Sequence, residues 1–159
     1  MTNPVIDPAL DLVLEREVDV PPHLVWAAWT TPEHVKKWFA PKPFETARCE
    51  IDLRPGGIFH VVMSTPEGEE MDGGAGCILE VVENERLVWT GALGPGFRPQ
   101  PGDMPFTAII TMEASGAGTK YRAVALHGTP DEKEAHDKMG FVEGWGLCLD
   151  QLVEAAKAF

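Results

Sequence analysis

The chain has 159 residues, a hydrophobic fraction of 44% and five tryptophans, which is typical of one globular domain with its own core. Its formal net charge of -12 repels phosphate backbones, which argues against a nucleic-acid partner. No apolar run approaches the roughly 18 residues that span a bilayer, so membrane insertion is not expected either.

The ends of the chain and its cysteines indicate where the protein works. Residues 1–9 are expected to form a tail, and residues 10–159 one domain. The start, MTNPVIDPAL, has neither the basic nor the apolar segment of a secretion signal, which predicts a cytoplasmic location. Three widely spaced cysteines without a CxxC pair are typical of reduced thiols, and they favour neither a disulfide framework nor a zinc site.

The N-terminal third predicts one strand and two short helices. Residues 10–20 alternate apolar and polar side chains, which indicates a strand with one buried face. The stretch PPHLVWAAWT begins with a proline at a first helical position. TPEHVKKWF repeats this pattern, with Thr31 as a possible N-cap and Pro32 behind it. We therefore expect two short helices after the first strand.

The middle of the chain predicts an antiparallel meander. Short turns rich in glycine, proline and asparagine separate strands at 44–53, 57–65, 70–82, 86–93, 105–115 and 118–127. One longer connection, residues 94–105, contains three glycines and four prolines and cannot be regular structure. Long loops of this kind often border binding sites, so we interpret it as a candidate gate.

A long helix closes the chain. It begins in TPDE, where Thr129 can cap, Pro130 takes the first helical position and Glu132 completes a capping box. The helical pattern weakens before Gly140, which predicts a break near residues 138–140 before the helix resumes to residue 157. Gly144 and Gly146 then flank Trp145, and each costs about 1 kcal/mol of helix propensity relative to alanine.

Together these elements predict an α+β fold. A sheet of about seven strands needs its apolar face covered, and the final helix is the element long enough to lie across it. The expected architecture is a curved antiparallel sheet gripping one helix. Where such a helix stands off from the sheet, the gap is a usual place for a small ligand.

Four stretches carry a family resemblance: PPHLVWAAWTTPEHVKKWFAP, CEIDLRPGGIFHVVM, GCILEVVENERLVWT and EGWGLCLDQL. In this order and spacing they resemble homologues of the activator of the heat-shock-protein-ninety ATPase, over about residues 10–157. That family belongs to the START-like superfamily of polyketide cyclases, lipid-transfer domains and pollen allergens. The resemblance implies a helix-grip fold with an internal cavity. The cochaperone that names the family has an additional N-terminal domain that makes its principal chaperone contact.

Strand alternation assigns side chains to the concave face, where they would line the cavity with residues of the final helix. We expect the strand positions Cys77 and Leu79 to share this face. The predicted cavity residues are Phe59, Val61, Met63, Trp89, Phe106, Ile110, Tyr121, Ala123, Ala125, His127, Phe141, Trp145 and Leu149.

Polar residues offer little conventional chemistry. His127 is the one ionisable side chain placed at the cavity edge, either as a base or ligand partner or as a strand-end histidine in partial solvent. His136 is expected on a helix surface. No histidines or carboxylates have ligand spacing, so we predict neither a metal nor a cofactor. Glu80, in an apolar strand, indicates an ion pair or an exposed strand face.

Three functions remain open at this stage. The first is binding of a hydrophobic or amphipathic small molecule in the cavity, and the second is a cyclase- or hydrolase-like enzyme that uses His127 or Tyr121. The third is a cochaperone-like module that contacts a chaperone. Leu147, on the polar side of the final helix, is a weak indication of a homodimer.

Overall fold

The computed structural model describes residues 4–102 and 104–159 of the chain, which form four α-helices, one short 3-10 helix (Pro95–Phe97) and ten strands. The helices are α1 (Pro22–Thr30), α2 (Pro32–Val35), α3 (Pro130–Lys138) and α4 (Phe141–Ala156). The strands are β1 (Asp11–Val18), β2 (Glu45–Ile51), β3 (Ile58–Ser64), β4 (Glu70–Met71), β5 (Gly76–Val82), β6 (Arg86–Thr90), β7 (Leu93–Gly94), β8 (Arg98–Pro99), β9 (Phe106–Ser115) and β10 (Gly118–His127). None of these helices is long and apolar enough to cross a membrane.

Seven strands form one curled antiparallel sheet in the order β1-β10-β9-β6-β5-β3-β2, and β4 pairs with β3 outside this path. From β2 onwards, each strand of this sheet pairs with the next one along the chain. This is the antiparallel meander that the short turns predict. The first strand, β1, closes on the last, β10, with Asp11 opposite Leu126. The helices α1 and α4 pack on the concave face of the sheet. The predicted α+β helix-grip architecture is confirmed.

The final helix breaks where the sequence predicts. Gly140 has a φ of +86°, a left-handed conformation that side chains with a Cβ rarely adopt, and it separates α3 from α4. The start of α3 is capped as expected, because Thr129 Oγ1 accepts a 3.2 Å hydrogen bond from the backbone N–H of Glu132. The equivalent cap before α2 does not form, since the Thr31 side chain makes no capping hydrogen bond.

Two predicted strands are shorter or divided in the structure. Residues 70–82 form β4 and β5 rather than one strand, and Gly74, between them, has a φ of +97°. The predicted strand at 86–93 is likewise shortened to β6. β7 follows and pairs with β8, so the segment at 94–105, predicted to have no regular structure, contains a short hairpin. Gly73 and Gly74 mark the first interruption, because glycine weakens the interior of a strand.

The faces of β5 correct one assignment. A β-bulge between Ile78 and Glu80 shifts the register against β6, so the alternation changes phase within the strand. Ile78 belongs to the main core, whereas Leu79 packs with the convex-face cluster of Val88, Ile109 and Val124. The prediction that Cys77 and Leu79 lie on the concave face was therefore wrong, because Ile78, between them, occupies that face opposite Trp89.

Glu80 forms the ion pair that its position in an apolar strand indicates. Its Oε1 lies 2.5 Å from Arg86 Nε, and the two side chains are 20% and 12% exposed. The pair joins the two strands of the β5–β6 hairpin near its turn. The three cysteines are unpaired thiols, as expected.

Candidate functional site

Aromatic side chains fill the space between the sheet and α4. Neighbouring ring centroids lie 4.7 Å apart for Phe59 and Trp89, 5.6 Å for Trp89 and Phe106, and 6.1 Å for Phe106 and Trp145. Trp145 also stacks obliquely on Phe141 at 4.7 Å. Each such pair contributes about 0.5–1.5 kcal/mol beyond the burial of its area. The result is a continuous aromatic wall that runs from β3 to the start of α4.

The structure brings most of the predicted cavity residues together in the main core. Those buried there are Phe59, Trp89, Ile110, Tyr121, Ala123, Ala125, Phe141 and Leu149, and those partly buried against it are Val61, Phe106 and Trp145. His127 is buried beside this core and lies 6.0 Å from Phe106 between ring centroids. Met63 lies apart from the core, opposite Thr46 in β2 and Met71 in β4.

Two glycines near Phe106 and Trp145 leave open space beside them. A Cβ added at Gly91 would meet nothing within 4 Å, and the same holds at Gly144. Gly91 follows β6 beside Phe106, whose carbonyl oxygen accepts a hydrogen bond from the Gly91 N–H over 3.1 Å. By alternation it shares the concave face with Trp89.

Gly144 lies on the side of α4 that faces the connection from α2 to β2. It precedes Gln151 by seven residues, nearly two full turns, so the two share one side of the helix. Gln151 Nε2 donates hydrogen bonds to the carbonyl oxygens of Trp38 and Ala40, in the connection from α2 to β2. The open space at Gly144 is therefore on the side of Trp145 that faces away from β1.

A buried histidine pair lies beside Phe106 and Trp145. His127 Nδ1 lies 2.7 Å from the Leu10 carbonyl oxygen, and His127 Nε2 lies 2.8 Å from His136 Nδ1. The two residues are only 7% and 5% exposed. Burial, and secondly the neighbouring His127, lower the pKa of His136 to about 4, so its imidazole is neutral near pH 7.

The placement of His136 corrects the prediction that it lies on a helix surface. Its ring contacts Phe106 and Phe141, with centroid distances of 4.6 Å and 5.1 Å. The sequence carries no apolar signal for this burial. Residues 132 and 140, one turn before and after His136, are glutamate and glycine.

The two residues considered for acid–base chemistry are held in structural hydrogen bonds. Tyr121 is 2% exposed, and its hydroxyl oxygen accepts a 3.2 Å hydrogen bond from Trp29 Nε1. Burial raises the pKa of Tyr121 well above its ordinary value, so the phenol stays protonated at neutral pH. Both ring nitrogens of His127 are engaged by Leu10 and His136.

The first half of the loop at 94–105, the candidate gate, is anchored to the rest of the fold. Gln100 Nε2 donates hydrogen bonds to the carbonyl oxygens of Ala75 and Gly91, over 2.8 Å and 3.1 Å. The Gly96 N–H donates to the Gly56 carbonyl oxygen, and the Phe97 ring lies where a Cβ of Gly56 would be. Asp103, in the second half of the loop, lies outside the described residues, and the gate stays a prediction.

Two surface grooves lie away from the aromatic wall. One, of about 540 Å³, is lined by three lysines together with Phe44 and Gln151, among others. The other, of about 350 Å³, lies between β1 and the second half of α4. Neither groove is lined by a predicted cavity residue. Across the described part of the chain, no cluster of three or more histidine, cysteine, aspartate or glutamate side chains could hold a metal ion.

Comparisons with known structures place this fold among bacterial relatives. A crystal structure from Nitrosomonas europaea is 47% identical, covering 96% of this chain and 97% of that chain, with a TM-score of 0.91. One from Mycobacterium smegmatis is 25% identical, covering 95% of this chain and 96% of that chain, with a TM-score of 0.75. One from Rhodobacter sphaeroides is 17% identical, covering 98% and 97% of the two chains with a TM-score of 0.83, and it shows likeness of fold alone.

The comparison with protein families covers nearly the whole chain. No curated protein matches it. Residues 19–157 match the family described as Activator of Hsp90 ATPase homolog 1-like protein. This range includes Gly91, Gly144, Trp145 and the histidine pair described above. The chain belongs to the family of Activator of Hsp90 ATPase homolog 1-like proteins.

Proposed function

We propose that the protein binds a hydrophobic or amphipathic small molecule between the sheet and α4, at the end marked by Trp145. Proteins of this family and its superfamily commonly bind hydrophobic ligands, which supports the proposal. Binding ranks above catalysis because Tyr121 and His127 are both committed to internal hydrogen bonds. Chaperone contact and homodimerisation remain alternatives, and exposed Leu147 is the residue that a dimer would cover.

One observation carries the proposal. Phe106 and Trp145 are only partly buried, although they belong to the aromatic wall, and open space lies beside them at Gly91 and Gly144. An apolar molecule in that space would remove both rings from water, at about 25 cal/mol for each Å² of apolar surface covered. Since concave sites lined by aromatic side chains are the usual small-molecule sites, this end of the interior is the best-supported one.

The test fills the open space and measures binding of a neutral fluorescent probe, N-phenylnaphthylamine. We expect saturable binding to the wild-type protein, and an affinity at least tenfold lower in Gly91→Leu and in Gly144→Leu. Gly73→Leu is the matched control, because Gly73 is exposed and a Cβ there also meets nothing within 4 Å.

Circular dichroism and thermal unfolding should show that the three variants remain folded. Equal binding by all four proteins, or no binding by the wild type, would contradict the proposal. Binding lost only in the two site variants would support it.

A further inference from the structure

When both imidazoles are neutral, the hydrogen bonds of the histidine pair fix the position of each proton. The Leu10 carbonyl oxygen can only accept, so the His127 nitrogen that lies 2.7 Å from it, Nδ1, carries a hydrogen. In a neutral imidazole the other nitrogen then has a lone pair. His127 Nε2 is therefore an acceptor, directed at His136.

The same reasoning applies to the imidazole ring of His136. His136 Nδ1 lies 2.8 Å from the acceptor nitrogen of His127, so it must donate, and the hydrogen of neutral His136 is on Nδ1. His136 Nε2 is left with a lone pair, on the far side of the ring from His127. Among the described residues no hydrogen-bond donor to this atom is found, and the atom is not one of the fully enclosed polar atoms that lack a partner. Its lone pair is therefore open to a donor from outside the protein.

The surroundings of His136 connect it with the open end of the interior. Its ring centroid lies 4.6 Å from that of Phe106 and 6.3 Å from that of Trp145, the two partly buried rings beside the open space. His136 is thus the polar group that adjoins an otherwise aromatic wall. Small-molecule sites commonly combine an apolar lining with a few polar groups that orient the ligand.

We propose that His136 Nε2 accepts a hydrogen bond from the bound molecule, and that the ligand is therefore an apolar ring-containing molecule with a neutral donor such as a hydroxyl group. This inference rests on the proposed function. The Leu10 carbonyl oxygen and His127 act as positioning groups, because they hold His136 in the tautomer that accepts. A carboxylate at the same place would set its own lone pairs against that of His136, so the site should disfavour anions.

Three probes of equal ring size test the inference in calorimetric titrations at neutral pH: naphthol, methylnaphthalene and naphthoate, all substituted at the same ring position. Naphthol differs from methylnaphthalene by one hydroxyl in place of a methyl group. We expect naphthol to bind wild-type protein roughly tenfold more tightly than methylnaphthalene, as one hydrogen bond in a desolvated site provides. Naphthoate should bind more weakly than naphthol.

The variant His136→Asn keeps an N–H donor for His127 Nε2 but has no group at the position of His136 Nε2. It should bind methylnaphthalene as the wild type does and lose the preference for naphthol. His136→Phe, an apolar replacement of similar shape, is the second variant if His136→Asn does not fold. Loss of the preference in either folded variant, with methylnaphthalene binding retained, supports the inference.

Other outcomes overturn it. Equal affinities of wild-type protein for naphthol and methylnaphthalene would refute the role of His136 while leaving the proposed function intact. A preference for naphthol that persists in His136→Asn, or tighter binding of naphthoate than of naphthol, would also refute it. Failure of all three probes to bind would remove the proposed function and this inference together.

Discussion

Arg16 Nη2 in β1 donates a 2.7 Å hydrogen bond to the carbonyl oxygen of Gly146 in α4. The same guanidinium lies 3.0 Å from Asp150 Oδ1, one turn further along the helix. A Cβ at Gly146 would lie 4.0 Å from Arg16 Nη2, in ordinary contact. The two glycines beside Trp145 therefore differ: Gly146 faces an arginine from the sheet edge, whereas Gly144 faces open space.

Alanine substitutions of Gly144 and Gly140 should change the free energy of unfolding in opposite directions. Gly144→Ala should raise the free energy of unfolding by about 1 kcal/mol, because alanine favours the helix and its Cβ meets no atom within 4 Å. Gly140→Ala should lower it by about 1–2 kcal/mol, since Gly140 has a φ of +86°. Urea unfolding of both variants measures the difference. Destabilisation by Gly144→Ala would show that its space is already occupied.

Loss of the Arg16 contact should weaken the attachment of α4 to β1. Arg16→Met keeps the apolar stem but removes the donor to the Gly146 carbonyl oxygen, and we expect a loss of about 1–2 kcal/mol in the free energy of unfolding. Asp150→Asn is the control, because it affects only the exposed ion pair and should cost less than about 1 kcal/mol. Equal effects of the two substitutions would show that the ion pair, and not the carbonyl contact, matters.

The overall fold could be predicted from the sequence because its signals are local. Alternation marked the strands, short turns marked their antiparallel neighbours, and the capping pattern at Thr129 placed the start of α3. The break at Gly140 was visible because the helical pattern weakens there and glycine tolerates a positive φ.

The site was harder to predict, since its geometry depends on contacts between distant residues. Ile78, opposite Trp89, takes the concave face of β5 in place of Cys77 and Leu79, and alternation within the strand does not say which set faces inward. His136 is buried because α3 folds back against β10, where His127 and Phe106 meet it. Neither helix propensity nor side-chain polarity contains that information.

The phenol of Tyr121 should matter for stability and not for binding. Tyr121→Phe removes the acceptor for the buried Trp29 indole N–H, so we expect a loss of about 1–3 kcal/mol in the free energy of unfolding. The affinity for N-phenylnaphthylamine should change less than twofold, because the hydroxyl group is fully engaged inside the core. A large loss of binding with unchanged stability would indicate that the phenol contacts the ligand.

Stability should depend on pH through His136. Its pKa falls from an ordinary 6.5 to about 4, first through burial and then through His127, so between these values the unfolded chain binds a proton that the folded protein does not. The free energy of unfolding therefore rises with pH across this range, by up to about 3 kcal/mol. His34, whose pKa is also lowered, mainly by burial, adds a slope of the same sign.

Because His34 contributes as well, the test compares wild type with His136→Asn by urea unfolding from pH 4 to pH 7. The variant should show a shallower dependence, with the largest difference between the two slopes near pH 5. Parallel curves would mean that His136 titrates alike in the folded and unfolded states, contrary to its burial against Phe106 and Phe141.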